Sequence, residues 1–480
     1  MKALQLYNTM TRQVENFVPQ NPPKVSLYAC GLTVYDYTHL GHLRKYTMDD
    51  ILIRTLEHFG YEVTFVQNVT DVGHLASDAD SGEDKLEKGA KKYGESVYDI
   101  ARKFEEYFFN SMDTMGNLRP AVSCRATDHI QAQLAMVVGL EEKGFTYVIE
   151  DDGVYFDTSK LDDYGMLARL DLENLKEGAG GSASVAAGKR NPTDFALWKF
   201  ERPGENRAMV WPSPWHPRSF PGWHIECSAM SMEYLGNQID IHTGGIDHIP
   251  VHHTNEIAQA EAFSGKKPFV RFWVHHNFLQ VEGEKMSKSL GNFYTIDDIL
   301  ERGFHPKALR LLFLGSHYRS ELNFTWNSLV AAQTALEKMV GQFAQLHSEP
   351  AEKDVELSAA AKELHVRFEA ALAHDLNTAE AVALVWEVLK SNVSDAEKRR
   401  LLEHFDSILQ IGIAELAASG EISKKVSLDA VPEVVAQLVA RREVARSEKQ
   451  WQEADDLRKK IEAEGYEVID SPDGQELQRR

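Results

Sequence analysis

Apolar and polar positions along the chain switch between strand-like runs and helical spacing, and the switches divide it. Lys24-Val25-Ser26-Leu27-Tyr28-Ala29 has strand character and ends at Cys30-Gly31. A short loop through Thr33 and Tyr35 follows, and Thr38-His39-Leu40-Gly41-His42 opens an amphipathic segment. In that segment Met48, Ile51, Leu52, Thr55, Leu56 and Phe59 recur at helical spacing, and Gly60 sits where a left-handed residue ends a helix. The run Tyr61 to Asn68 has strand composition. Strand, helix and strand form a βαβ unit and predict a parallel sheet. Two histidines and a cysteine thus crowd one strand-to-helix junction. Open α/β sheets bind ligands at such a junction, and the helix N-terminus offers N–H groups to phosphate.

Further along, Val72 to Glu83 reads as a mobile loop before a long helix near Asp84 to Met115. From Arg119 to about Gly222 the pattern changes. A helix near Asp128 to Gly144 leads to a hairpin over Tyr147 to Phe156, and Glu177 to Ser182 is a flexible loop by composition. This block is taken as an insertion. Parallel-sheet signals resume at Gln238 to His242, a helix follows over Val251 to Phe263, and Phe269 to Val274 reads as another strand. Beyond about Asp297 the chain turns helical, with His305 to Leu314 first and several helices from Trp326 to Leu416, broken at Ser348 to Ser358 and Asn392 to Asp395. A linker-like Ser419 to Lys425 precedes a small unit containing Arg441, Arg442, Arg446, Arg458, Lys459 and Lys460. The expected fold class is α/β: a Rossmann-type parallel-sheet catalytic domain with an inserted α+β block, then a C-terminal helical bundle and a small module.

At 480 residues, two to four domains are expected. The net charge of −21 argues against a polycation that coats nucleic acid or membrane, although a local basic face is compatible with it. Three cysteines give no disulfide framework, so a thiol beside histidines suits a metal ligand or a catalyst in a reducing cytosol. No run approaches the roughly 18 apolar residues of a membrane span, and the N-terminus lacks a long apolar stretch. The expectation is a soluble, cytoplasmic protein without a membrane partner.

Four groups of residues carry chemistry. His39 and His42, three apart at a helix start, either cap that helix or face one ligand, such as a triphosphate undergoing displacement at its α-phosphorus. Lys285-Met286-Ser287-Lys288-Ser289, followed by Leu290-Gly291-Asn292, places two lysines in a glycine-containing loop suited to a pyrophosphate leaving group. Cys30, Cys227, His252 and Glu256 offer two thiolates, an imidazole and a carboxylate to zinc, since His252 and Glu256 share a helical face. By spacing alone His253 competes with His252, and buried core cysteines are the rival reading. Gly244-Gly245-Ile246-Asp247 follows a strand, where glycines allow close approach to adenine and Asp247 is placed for ribose hydroxyls.

The histidine pair taken with the lysine pentapeptide resembles the class I aminoacyl-tRNA synthetases, whose signatures read His-Ile-Gly-His and Lys-Met-Ser-Lys-Ser; here Leu40 stands at the second position. The segments Tyr28 to His42, Pro221 to Ser228, Asp240 to Glu256 and Lys285 to Asn292 are similar, in order and spacing, to cysteinyl-tRNA synthetases. The resemblance extends over essentially the whole chain. It implies zinc, one per chain, on Cys30, Cys227, His252 and Glu256; ATP, taken with magnesium, at Lys288 and the histidines; and Gly31, Thr33, Thr70 and Trp223 around the amino acid, with His224 beside them. It implies ligation of L-cysteine to tRNA(Cys) through cysteinyl-adenylate, with no role for DNA. The rival is the related cysteine ligase of mycothiol synthesis, which acts on a glucosaminyl-inositol amine. The implied domains are 1–118 and 223–296 for the two halves of the catalytic domain, 119–222 for the insertion, 297–340 for a stem-contact region, 341–420 for the bundle and 421–480 for an anticodon-binding module. One departure is Thr70-Asp71-Val72-Gly73-His74-Leu75, where many members read Thr-Asp-Ile-Asp-Asp-Lys.

Overall fold

The computed structural model of the chain describes residues 3–73, 84–170, 188–287, 290–347, 357–422, 428, 431–471 and 474–479. Lys288, most of the Val72 to Glu83 loop, the Glu177 to Ser182 loop, most of the Ser348 to Ser358 stretch and residues 423–425 of the Ser419 to Lys425 stretch lie outside these residues.

Five parallel strands form the central sheet. Its spatial order is Val270–His276, Ile239–Gly245, Lys24–Ala29, Glu62–Val69 and Val122–Arg125. In chain order this is 5-4-1-2-3, the doubly wound arrangement of a Rossmann sheet. The order reverses between Lys24–Ala29 and Ile239–Gly245, so the crevice outside their carboxyl ends is where the fold favours a ligand. The fifth strand, Val122–Arg125, lies beyond residue 118, so the sheet runs on into the block expected as an insertion. Four residues after Pro120 are too short a run for alternation to announce. The antiparallel unit Thr146–Ile149, Gly153–Phe156, Phe195–Phe200 and Ser219–Pro221 is the part that departs from the parallel sheet.

Helices cover both faces. The opening helix, Leu40–His58, buries Leu43, Ile51, Leu52 and Leu56 in a core continuous with the bundle, and ends at Phe59 with Gly60 at φ +88°. Ile130–Glu142, Trp223–Leu235 and His252–Ser264 cover the other face, around Tyr28, Val66, Ile225 and Trp273. The single long helix expected over Asp84 to Met115 is two, Lys85–Tyr93 and Val97–Met115. Gly94 at φ +69° ends the first, and the Ser96 side chain caps the second.

Buried arginines join the sheet to the C-terminal helices. Arg44, 2% exposed, donates to the carbonyls of Asn277, Phe278, His317 and Ser320 at 2.6–3.2 Å. Arg310 donates to Asn117 Oδ1 and the Leu409 carbonyl, each at 2.7 Å, and pairs with Asp50. A buried guanidinium without such partners would be strongly destabilising, so these contacts fix where the helical region sits on the sheet. That region includes Pro306–Leu314, Trp326–Ala344, Ala359–Ala373, Thr378–Lys390 and Asp395–Leu409. The last unit pairs helices Glu433–Ser447 and Trp451–Ala463 with the hairpin Tyr466–Ser471/Gly474–Arg479, around its own core of Val435, Val439, Ile461, Val468 and Leu477. Among the described residues no helix is long and apolar enough to cross a membrane.

Candidate active site

Cys30 leaves the end of the first strand, Cys227 lies on the helix Trp223–Leu235, and His252 and Glu256 share one face of the helix His252–Ser264. One donor atom from each lies within 4.8 Å of the others, and all four residues are buried. Cys30 Sγ is 3.8 Å from Cys227 Sγ and 3.7 Å from Glu256 Oε1, and His252 Nε2 is 3.0 Å from the same carboxylate oxygen. Burial pushes the Cys30 thiol up, while the hydrogen bond from Cys30 holds Cys227 below its usual range. Burial would lower His252, yet hydrogen bonds with Cys227 and Glu256 hold it up to about 10. Two sulfurs, an imidazole and a carboxylate brought within 4.8 Å of one another in a buried cluster are the donor chemistry of zinc.

A second grouping, Cys30, His242, His253 and Glu256, shares two of these donors but has one thiol. Its histidines are committed elsewhere. His242 Nε2 lies 2.9 Å from Glu256 Oε2, the position of an outer partner that orients a ligating carboxylate. His253 Nδ1 lies 2.7 Å from His275 Nε2, and His275 Nδ1 is 2.7 Å from Thr9 Oγ1. His253 Nε2 does approach Cys30 Sγ to 3.3 Å, but the quartet with both sulfurs contains His252. Gly244 makes room for this packing, since a Cβ there would meet His253 Cε1 at 2.4 Å.

The histidine pair caps the opening helix, and both of its rings also face one cavity. His39 is the N-cap and His42 the third residue; each backbone N–H donates to the other's Nδ1, at 3.3 and 3.4 Å, and the rings stack at 3.5 Å. Because Nδ1 accepts in both rings, a neutral imidazole there carries its proton on Nε2. Burial, and then the charges of His39, Lys45 and His248, keep His42 well below its ordinary range. The capping arrangement therefore sets two neutral N–H donors at a helix N-terminus. Both rings line a cavity of about 600 Å³, which also reaches Cys30, Cys227 and His252.

Lys285 ends a short strand, Glu284–Lys285, that is paired with Leu279–Val281. Asn292 closes the loop after it, accepting from Ser287 N at 2.7 Å and donating to the Lys285 carbonyl at 3.2 Å. Lys285, Met286 and Ser287 line the cavity wall, and Leu40 N donates to the Tyr294 carbonyl, so the two signatures adjoin. Gly31, Thr33, Thr70, Trp223, Gly245 and Asp247 also line the cavity. His224 and Gly244 do not. His224 is buried behind the wall, with Nδ1 3.0 Å from His252 Nδ1. Gly31 N donates to Asn68 Oδ1 at 2.7 Å, and a Cβ on Gly31 would lie 1.6 Å from the Asn68 carbonyl oxygen. Gly31→Ala is thus expected to force the strand ends apart and to destabilise the fold by at least about 3 kcal/mol, the upper part of the overpacking range, as thermal unfolding would show.

Several residues at the site carried no signal in the sequence pattern. Lys45 Nζ donates to the Cys30 carbonyl at 3.0 Å and pairs with Asp49 at 2.8 Å, and His276 Nε2 lies 2.8 Å from Asp49. Asp49 is buried, yet Lys45 and His276 hold it down at about 2. Lys45 and His276 line the cavity, as does His248, whose Nδ1 is buried without a partner. Lys45 stands three residues after His42, so one more helical turn would have found it; His248 and His276 come from distant loop and strand ends.

A family model described as the tRNA synthetases class I (C) catalytic domain matches residues 16–334, and one described as the Cysteinyl-tRNA ligase anticodon binding domain matches residues 428–477. The chain is 46% identical over 475 residues to Cysteine--tRNA ligase 1 of Burkholderia lata, covering 99% of this chain and 96% of that protein. It is 40% identical over 487 residues to Cysteine--tRNA ligase of Treponema denticola, covering 98% of each. Among solved structures, Mycobacterium tuberculosis methionyl-tRNA synthetase in complex with methionyl-adenylate superposes with a TM-score of 0.55 at 16% identity, over 85% of this chain and 94% of that one. An Agrobacterium radiobacter LeuRS–tRNA–LeuAMS ternary complex gives 0.59 at 14% identity, over 85% and 86%. At such identity the likeness is one of fold.

Proposed function

Since the chain belongs to the cysteine–tRNA ligases of the class I aminoacyl-tRNA synthetases, we propose that it activates L-cysteine with ATP and transfers it to tRNA(Cys). The observation that carries this reading is the single cavity wall that joins a thiol-rich donor cluster to a pair of neutral histidines at a helix N-terminus. In the first step a carboxylate oxygen of cysteine attacks the α-phosphorus of ATP, the bond to the bridging oxygen breaks, and pyrophosphate leaves with the electron pair. Nε2–H groups of His39 and His42 donate to the non-bridging oxygens, where charge grows in the transition state. Lys285, with Lys288 beyond the described residues, neutralises the pyrophosphate, which arrives and leaves with magnesium. Gly245 and Asp247 receive the adenosine, and Gly31, Thr33, Thr70 and Trp223 surround the amino acid. In the second step a hydroxyl of the terminal adenosine attacks the carbonyl carbon, and AMP departs.

Cys30, Cys227, His252 and Glu256 would hold a zinc ion, whose softness favours a substrate thiolate over the hydroxyl of serine. An apolar pocket alone separates such near-isosteres by only about 1–3 kcal/mol. The setting is the cytoplasm, where thiols stay reduced. The C-terminal unit reads the tRNA, and a mycothiol-type ligase has no use for it. The test is cysteine-dependent ATP–pyrophosphate exchange beside aminoacylation, on the full chain and on a chain ending at Gly420. The shortened chain is expected to keep exchange within about twofold, because the removed unit has its own core, and to lose most transfer to tRNA. Equal loss of both would refute the assignment.

A further inference from the structure

At the far end of the opening helix lies another convergence of donors. His58 in its last turn meets Glu369 on the bundle helix Ala359–Ala373 and His404 on the helix Asp395–Leu409, with one donor atom of each within 4.8 Å of the others. His58 Nε2 lies 3.2 Å from Glu369 Oε1, and His365 Nε2 lies 3.8 Å from that same oxygen. The His404 ring centroid is 5.0 Å from that of His58 and 4.8 Å from that of His365. Its Nε2 is buried and has no hydrogen-bond partner. Beneath them Phe368 and Phe405 stack at 3.7 Å, closing the cluster from the core side.

An ordinary surface ion pair between His58 and Glu369 would explain one contact. It leaves the orphaned nitrogen of His404 unexplained, and it gives no reason for three imidazoles to gather at one carboxylate, where protonation of any would repel the rest. Imidazole nitrogens with one carboxylate oxygen are borderline donors, suited to zinc, nickel, copper or cobalt and poorly suited to magnesium or calcium.

We propose that His58, Glu369 and His404, with His365 beside them, form a second divalent transition-metal site, which pins the catalytic helix to the helical bundle. The three ligands come from three helices, so the ion bridges parts of the chain that only tertiary structure brings together. The helix that begins at His39 ends here, about 28 Å away at 1.5 Å per residue. Occupancy would hold that helix at the end opposite its catalytic histidines.

The test uses the full chain, loaded with one equivalent of zinc, which the two-thiolate cluster takes in preference, and then dialysed against micromolar cobalt. The wild type is expected to take up one cobalt per chain beyond the zinc it retains, with a visible spectrum that lacks the thiolate-to-cobalt charge-transfer band. Its unfolding midpoint should rise with cobalt concentration. His404→Ala should lose that equivalent. Glu369→Gln, at a partly exposed position where the fold tolerates the change, should bind it roughly ten-fold more weakly or worse. Zinc retention should be unchanged in both variants. Cobalt appearing only with the thiolate band, or no added cobalt in the wild type, would overturn the proposal. So would undiminished uptake by both variants. The spectral distinction separates failure here from failure of the cysteine-rich site.

Discussion

Cys227→Ser is expected to strip the metal from the donor cluster and to lower cysteine-dependent ATP–pyrophosphate exchange by roughly 10³-fold or more, the scale of loss when a site built around one substrate group can no longer engage it. The replacement is nearly isosteric, so packing around the 3%-exposed side chain is preserved. What changes is the softness and charge of one donor. Cys227 is held below its usual range by the hydrogen bond from Cys30, and it supplies one of two sulfurs within 4.8 Å of His252 and Glu256. A hydroxyl supplies neither the charge nor the softness. The residual enzyme should then separate cysteine from serine by no more than about 10–200-fold, the limit for a pocket without a specific partner for the thiol. Cys124→Ser is the control. Its Sγ faces the Gln67 carbonyl at 3.6 Å and takes no part in the cluster, so metal content and exchange should stay near wild type. Metal content by elemental analysis, with exchange assayed on both amino acids, checks the set. A metal-free Cys227→Ser that still prefers cysteine by more than about 10³ would place the discrimination elsewhere.

The parts of this site that were readable in the sequence are those that local rules govern. The strand ending at Cys30, the helix from Leu40 and the strand after Gly60 follow from period and from a left-handed glycine, and together they imply the crevice. The partners of Cys30 did not follow from such rules. Cys227 and Glu256 come from helices nearly 200 and more residues downstream, and His252 and His253 were equal by spacing. Both do reach Glu256 Oε1, at 3.0 and 3.9 Å. They differ in what holds the other side of the ring: His275, itself held by Thr9, occupies His253, while His224 meets His252, and the sequence pattern announces none of these partners.

Elsewhere the failures have local causes. Val122–Arg125 is too short to alternate, and Gly94 breaks what looked like one helix. The turn at Asp375 and Leu376, with φ of +56° and +54°, has no glycine or proline to signal it. It is held instead by tertiary contacts, since the Asp375 carboxylate accepts from Tyr7 N, Tyr318 Oη and Arg319 Nε at 2.6–2.8 Å. The histidine pair is a different case. Its two readings, helix cap and phosphate donor, were set against each other in the sequence; the structure shows the cap with both rings facing the cavity, so under the proposed function the first is a condition of the second.

That coupling can be taken apart with His39→Ser. Serine is among the best N-cap residues, so its hydroxyl can accept from the His42 N–H as His39 Nδ1 does now, and the helix start should keep its stability. Loss of the cap, by contrast, costs about 1 kcal/mol, as His39→Ala would reveal in thermal unfolding. Both variants lack the Nε2–H that the proposed function directs at the growing charge. Removing one such donor typically costs about 10²–10³-fold in kcat, or roughly 2.7–4 kcal/mol of transition-state stabilisation. The expected outcome is therefore a loss of that size in exchange kcat for His39→Ser, with its unfolding midpoint close to wild type and KM for cysteine little changed. KM for cysteine should hold because the proposed function has the amino acid surrounded by Gly31, Thr33, Thr70 and Trp223, none of which changes. His39→Ala should show the same kinetic loss with a lower midpoint. If His39→Ser retained wild-type exchange while His39→Ala lost it, the histidine would be a cap alone, and the phosphate role would pass to His42 and the backbone N–H groups of the helix.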